Sequence, residues 1–487
     1  MTHLRTFFTG VERTPAAILL AVLAGTASAA AAYLLDPPAL VAAVVGLVAA
    51  VLTLVRVEAG VLALIFVAYT RFSDVLLDRG APLSIAELLV LLIVLAFVLR
   101  WYLFDEEPQG WLRPALLLAA YGLVGLASLL NATAPDRAQG ALLDYAQDAV
   151  IVLLIVAGLQ RPGALRHAVW ALLGAGIFLG TLSVVQQMTG SFTTSFWGFS
   201  VAELQPIAGG TSDFRIGGPM GSPNFYAMIL VPLVPLAFDR LWHERRSLLR
   251  LLSAWALVVV LLSIVFTFSR GGFIALAVVL GLTLLRLRRR PWLLLGIGFA
   301  LLLLLALLPA TYQERLATIS GVVPQAESDV AVDDSLRGRT SELIVGWQMF
   351  VDHPLGGVGL DNYPEHYLSY SSQLGLDTRR TQRSPHSLYL EIASETGLVG
   401  IAVFLALLTG LFSGLTYAHR RLRQAGHQDE ASLVVALAIG LTGYLVASLF
   451  LHAAYPRFFW TLAAIAFAAP QVAARTVLRR AAAIPSS

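Results

Sequence analysis

From residue 16 onward the chain is cut into stretches of about 17 to 25 residues with few or no charges, the length that crosses a bilayer's hydrocarbon core. Backbone inside lipid must satisfy its own N–H and C=O groups, so such stretches admit only a helical bundle or a closed barrel. A barrel would show alternating segments of about ten residues, and that period is absent. Composition agrees: only 13% of the 487 residues are charged, where a soluble protein carries roughly 25%. The expected fold class is an all-α polytopic membrane protein, one integral membrane domain over 1–487.

About fourteen spans can be drawn, near 16–35, 39–55, 58–71, 84–104, 112–131, 144–160, 164–187, 224–240, 248–267, 271–287, 291–309, 396–417, 431–452 and 457–473. The second and third nearly fuse, so the range is twelve to fourteen. The first resembles a signal peptide, with Arg5 and Arg13 before an apolar run and "ASAAAA" as a cleavage-like site, but its place ahead of so many spans favours a retained helix. Arginines in short loops set the orientation. With the N-terminus cytoplasmic, "DRLWHERRSLLR" (239–250), "RLRRRP" (286–291), "HRRLRQAGH" (419–427) and the tail "RTVLRR" all fall inside. Both termini are then cytoplasmic, and 188–223 and the long segment 310–395 face outward. The long segment holds twelve Asp or Glu against six Arg, so it is acidic. "ELIVGWQMF" and "LSYSSQLGL" have the apolar spacing of short helices, "HPLGGVGLDN" (353–362) reads as a glycine-rich turn, and 322–335 reads as poorly ordered.

Three outward stretches carry the chemistry-bearing residues. In "FRIGGPMGSPNFYAMIL" (214–230), Arg215 precedes a glycine-rich turn, and Ser222, Pro223 and Asn224 open the next helix. Arginine beside a helix N-terminus can bind an anion; a capped loop with a snorkelling arginine reads as well. In "FTFSRGGFIAL" (266–276), Arg270 stands in a very short turn between apolar runs, where a charge is costly unless paired or facing a polar cavity. Interfacial snorkelling would run against the usual bias of basic residues to the inside. In "QRSPHSLYLEIASETGLVG" (382–400), His386 offers an imidazole, which titrates near neutral pH and suits a general base. Glu391 and Glu395, spaced i, i+4, share one helical face, and Arg379, Arg380 and Arg383 lie just upstream. A helix cap, solvated glutamates and a surface run of arginines would account for the same residues. Arg339, in the long segment, is a further candidate for substrate binding.

Other chemistries lack their signals. The chain has no cysteine and no lysine, so no thiolate site exists and every fixed cation is an arginine. The histidines of the long segment have no zinc spacing, no phosphate-binding or dinucleotide loop occurs, and no basic tract with interleaved aromatics suggests nucleic acid. No cofactor is expected.

Taken in order, Arg215 with "GSPNFYA", "SRGG" at 269–272, "GWQMFVDHPLGGVGLDNY" at 346–363 and "PHSLYLEIASETGLVG" at 385–400 resemble the O-antigen ligase and O-antigen polymerase superfamily of bacterial membrane glycosyltransferases. The resemblance covers about residues 205 to 460. It implies a GT-C-like helical fold in the bacterial inner membrane, with one long periplasmic loop at 310–395 forming part of the active site. The implied reaction is a metal-independent, inverting transfer of a glycan from undecaprenyl pyrophosphate, on the outer face. The implied acceptor is lipid A–core for a ligase or a second lipid-linked glycan for a polymerase. By position, Arg215 and Arg270 match arginines assigned to the donor pyrophosphate, with Asn224, Arg339, Arg379, Arg380 and Arg383 as further binding residues. His386 matches the histidine that activates the acceptor hydroxyl; apart from the resemblance, Glu391 and Glu395 are further catalytic candidates, since a carboxylate could orient the ring or serve as the base itself. One departure is Ser387, where relatives often carry Asn. A many-span transporter or flippase is the competing class, but transporters tend to show internal repeats and midplane charges. Here no repeat is found and the distinctive polar residues lie at the outer edge.

Overall fold

The computed structural model describes residue 46 and residues 48–208, 211–287, 330–376, 382–452 and 456–482. Among them, nine helices are long and apolar enough to cross a membrane. In chain order the helices are α1 (Val57–Thr70), α2 (Phe72–Leu77), α3 (Ile85–Phe104), α4 (Leu112–Ser128), α5 (Pro135–Gly158) and α6 (Ala164–Thr189). Two strands follow, β1 (Val201–Ala208) and β2 (Thr211–Gly218). The remaining helices are α7 (Pro223–Leu230), α8 (Leu233–His243), α9 (Ser247–Phe266), α10 (Arg270–Leu287), α11 (Val330–Asp352), α12 (Tyr363–Gln373), α13 (Leu388–Gln424), α14 (Gln428–Ala447) and α15 (Pro456–Ala482).

Most expected spans coincide with a helix; those at 16–35 and 291–309, and part of 39–55, lie outside the described residues. Lipid-facing character is plain in α3, where Leu88, Leu91, Leu95, Val98 and Tyr102 are exposed while Ile93 and Ala96 are buried. The span expected at 224–240 is two helices, α7 and α8, meeting at Val231 and Pro232, because Pro232 and Pro235 lack the N–H that an unbroken ladder would need there.

Three expectations need correction. The fold is not wholly helical: residues 201–218 form an antiparallel hairpin in which Glu203 pairs with Arg215 and Gln205 with Asp213. Alternating polar and apolar residues in "AELQPIA" and "DFRIG" suit a strand pair on a wet surface. Helix α11 begins at Val330, inside the stretch 322–335 read as poorly ordered, of which 322–329 lie outside the described residues. And "DRLWH" (239–243) is not loop but the end of α8, with Asp239 and Arg240 buried.

The glycine-rich turn at 353–362 is stitched into a break in α13. Gly397 departs from helical geometry at φ 65° and ψ −161°. Across this break Val358 N–H donates to Ser394 C=O at 2.9 Å, Gly359 N–H to Glu395 C=O at 3.0 Å, and Leu398 N–H to Pro354 C=O at 2.8 Å. The backbones approach so closely that a Cβ on Gly357 would lie 2.2 Å from the Glu395 carbonyl carbon, and one on Gly397 would lie 2.4 Å from that of Leu355. Both glycines also have positive φ, so no other residue fits without strain. The same turn is fastened to the loop before α5, where Ala134 N–H donates to Asn362 Oδ1 at 2.7 Å. Tyr363 and Tyr367 then pack with Val345, Met349 and Val358 in a small core between α11 and α12.

These contacts sort the loops into two ends of the bundle. Helix α7 begins beside Arg215 and α8 finishes at Asp239 and His243; α9 runs back from there to Thr267. Loops expected on the outside meet one another at one end, and those expected on the inside meet at the other.

Candidate functional site

The site is built where residues 382–387 run into α13. Leu388 N–H donates to Ser448 C=O at 3.0 Å, so the start of α13 is pinned to the end of α14. Ser387 is extended (φ −160°, ψ 120°) and sets His386 against α11. There His386 Nδ1 lies 2.5 Å from Glu342 Oε2, and Arg383 Nη1 donates to Glu342 Oε1 at 2.8 Å. Glu342 has no exposed surface. Burial pushes its carboxyl up, but His386 and Arg383 outweigh burial and hold it below the usual glutamate range, so it stays ionised. Glu342 thus faces the Nδ1 side of the His386 ring.

A second imidazole stands against the first. The His452 ring centroid lies 5.9 Å from that of His386 at 72°, and 5.2 Å from that of Phe225 at 84°. Burial, reinforced by His386, pushes His452 down to about 4, so it is neutral at ordinary pH.

Arginines gather on the other side. Arg339 precedes Glu342 by three residues on α11, one turn away. Burial lowers its pKa; Glu342 opposes this and Arg270 adds to it, so the two guanidiniums feel each other's charge. Arg270 is the first residue of α10, whose end is capped by Ser269 Oγ accepting from Gly272 N–H at 3.2 Å. The turn before it holds Phe268 at φ 51°, an unusual angle for a bulky residue, and buries that ring. Arg215, on β2, donates to Thr267 C=O at 2.9 Å, to Gln205 Oε1 at 2.9 Å and to Asn224 Oδ1 at 3.2 Å. It is 7% exposed, so it braces the Arg270 turn from behind. A helix start and several guanidiniums in this arrangement can bind an anion.

The structure thus brings together Arg215, Asn224, Arg270, Arg339, Arg383 and His386. Arg379 and Arg380 lie outside the described residues. The two expected supporting carboxylates sit elsewhere. Glu395 is buried and accepts from Asp361 N–H at 2.9 Å and Tyr363 N–H at 3.2 Å, holding the glycine-rich turn rather than the ring. Glu391 lines a neighbouring cavity. The carboxylate that lies against His386 is Glu342, which sequence reasoning missed because it lies 44 positions earlier, inside "SELIVGWQMF". An acid at a core-facing position of that short amphipathic helix was the available signal. His452 was missed too; it sits at the end of an apolar span with no neighbour in sequence to mark it.

Among the described residues no cluster of histidines and carboxylates is arranged to hold a metal ion. The comparison with protein families matches residues 255–405 to O-antigen ligase. That region contains Arg270, Arg339, Glu342, Arg383 and His386, and leaves out Arg215 and His452. The match supports the O-antigen ligase and polymerase superfamily, and with it a glycosyltransferase-like membrane enzyme. No curated protein matches the chain.

Proposed function

From a chain carrying an O-antigen ligase region at residues 255–405, we propose a ligase-like transfer of a glycan from undecaprenyl pyrophosphate to an acceptor hydroxyl on lipid A–core, at the outer face of the inner membrane. The observation that carries this reading is the buried Glu342 holding both His386 and Arg383, beside Arg339 and Arg270.

The acceptor hydroxyl oxygen attacks the anomeric carbon while the bond from that carbon to the pyrophosphate oxygen breaks. The proton passes to Nε2 of His386, and the bonding pair leaves with the pyrophosphate. Glu342 stabilises the imidazolium that forms. Arg270, Arg339 and Arg383 offset the charge building on the leaving group, where water is scarce and such contacts are strong. Arg215 supports Arg270. Attack opposite the leaving group inverts the anomeric centre. Joining two lipid-linked glycans, as a polymerase does, uses the same steps with a different acceptor.

The test is reconstitution with an undecaprenyl-pyrophosphate glycan, with lipid A–core or without a second acceptor. Transfer to lipid A–core is expected; chain growth on the donor alone would make the enzyme a polymerase. His386→Ala should lower turnover by roughly 10² to 10⁴-fold with donor binding kept. Unchanged turnover would remove His386 as the base.

A further inference from the structure

Behind His452 lies a cavity of about 500 Å³, bounded by α4, α5, α13 and α15 and by the turn at Asp361. Its electrostatics are opposite to those of the arginine face. Among the described residues the lining includes four carboxyl groups, those of Asp144, Asp361, Glu391 and Glu395, and one guanidinium, Arg137. That guanidinium is already shared between Asp361 at 3.3 Å and Glu365 at 2.9 Å. Arg457, just behind, is taken by Asp148 at 2.9 Å. His452, kept neutral, adds no positive charge.

Three aromatic rings form one wall. Tyr121 and Tyr145 are 5.5 Å apart between centroids, Tyr145 and Trp460 also 5.5 Å, and Tyr121 and Trp460 6.2 Å. Flat rings beside hydrogen-bond acceptors suit a molecule with apolar C–H faces and many hydroxyls. His452 Nδ1 is fully buried and has no hydrogen-bond partner among the described residues, which calls for an explanation by something that enters.

We propose that this cavity receives the sugar ring bearing the acceptor hydroxyl, and that its acidic lining admits an uncharged or amino sugar and rejects a uronic acid or a phosphorylated sugar. The assignment rests on the transfer reaction above, since it is the position beside His386 that makes the bound hydroxyl an acceptor. Entry from this side brings the hydroxyl past His452 to His386, while the pyrophosphate stays on the cationic side. A second anion beside Asp144, Asp361 and Glu391 would lose its hydration and meet like charge, which is the costly case for a buried charge.

Binding of three short alkyl glycosides with a common chain tests this without any donor: a hexyl glucoside, glucosaminide and glucuronide. The readout is the Trp460 contribution to fluorescence, taken as the difference between the wild type and Trp460→Phe in nanodiscs. Glucoside and glucosaminide should saturate that signal, and the glucuronide should bind at least about tenfold more weakly, a difference of about 1.4 kcal/mol. Asp144→Asn with Glu391→Gln should narrow the gap. Equal binding of the glucuronide by the wild type, or a response undiminished in Trp460→Phe, overturns the proposal. A failed transfer assay would instead count against the reaction and leave these binding results standing.

Discussion

The bundle buries ionic clusters at both ends, and they differ in how completely they are closed. At the end away from the site, Asp239 bonds Arg240 at 2.6 Å and also accepts from Ser432 of α14. Glu244 accepts from Arg166 and from Trp170, the latter at 2.9 Å, with Arg240 3.5 Å away. Arg240, Asp239 and Glu244 are all almost wholly buried. Each carboxylate there meets a cation on its own or a neighbouring helix, so α6, α8 and α14 are tied together. Around His386, among the described residues, Glu342 is the carboxylate that faces Arg383 and His386, with Arg339 and Arg270 close by and a cavity adjoining. Buried pairing alone therefore does not mark a functional site. What distinguishes the proposed site is the group of arginines around His386 and Glu342, next to a cavity.

The sharpest break of that comparison is to remove one carboxylate at each end. Glu342→Gln should cost turnover heavily, within about tenfold of the loss in His386→Ala, and the double variant should lose little more than the worse single one, because residues acting as a unit are not additive. Additive losses would separate the two residues. Glu244→Gln leaves Arg166 and Arg240 short of a counter-charge. It should destabilise by about 3–5 kcal/mol, as breaking a buried pair does, with turnover per folded molecule unchanged. Turnover measured alongside the fraction surviving mild heating distinguishes the two ends.

Next in size are the arginines. Arg270→Lys and Arg339→Lys keep charge but lose the planar fork, so each should lower turnover by about tenfold or more. Activity near wild type in both would make the group of arginines at this end incidental. Arg383→Lys should cost less, since a lysine can still reach Glu342 as a point charge.

Much of this was legible in the sequence and some was not, for physical reasons. Hydropathy places most of the described spans because burying backbone in lipid demands long helices, and local motifs place Arg215, Arg270 and His386 at chain turns. Long-range pairing leaves no such trace. Nothing near His386 points to Glu342, and the i, i+4 spacing of Glu391 and Glu395 suggested partners that in fact face the cavity and the glycine-rich turn. In "DRLWHERR" the arginines were read as a solvated basic loop, whereas Asp239, Arg240 and Glu244 neutralise one another inside the bundle. The hairpin was masked by its setting, since eight-residue strands in a polar loop carry a weak signal beside a span of twenty apolar residues.

The smallest expected effect is one in which the two ends should agree. Glu342 and Glu244 are both held below the usual glutamate value of 4.5: burial pushes each up, and His386 with Arg383, or Arg166 with Trp170, more than offsets it. A group with a depressed folded pKa contributes stability that is present above its unfolded value and lost as pH falls through the folded one. Both clusters should therefore support the fold at neutral pH and weaken only below about pH 4.5. Melting temperature measured from pH 7 downward should separate wild type from Glu342→Gln and from Glu244→Gln above that value, and the curves should converge below it. A Glu342→Gln curve that overlays wild type at every pH, with Glu244→Gln separated above that value, would mean that Glu342 contributes nothing to the fold and serves only to orient His386. The two ends would then be more sharply divided than the structure already makes them.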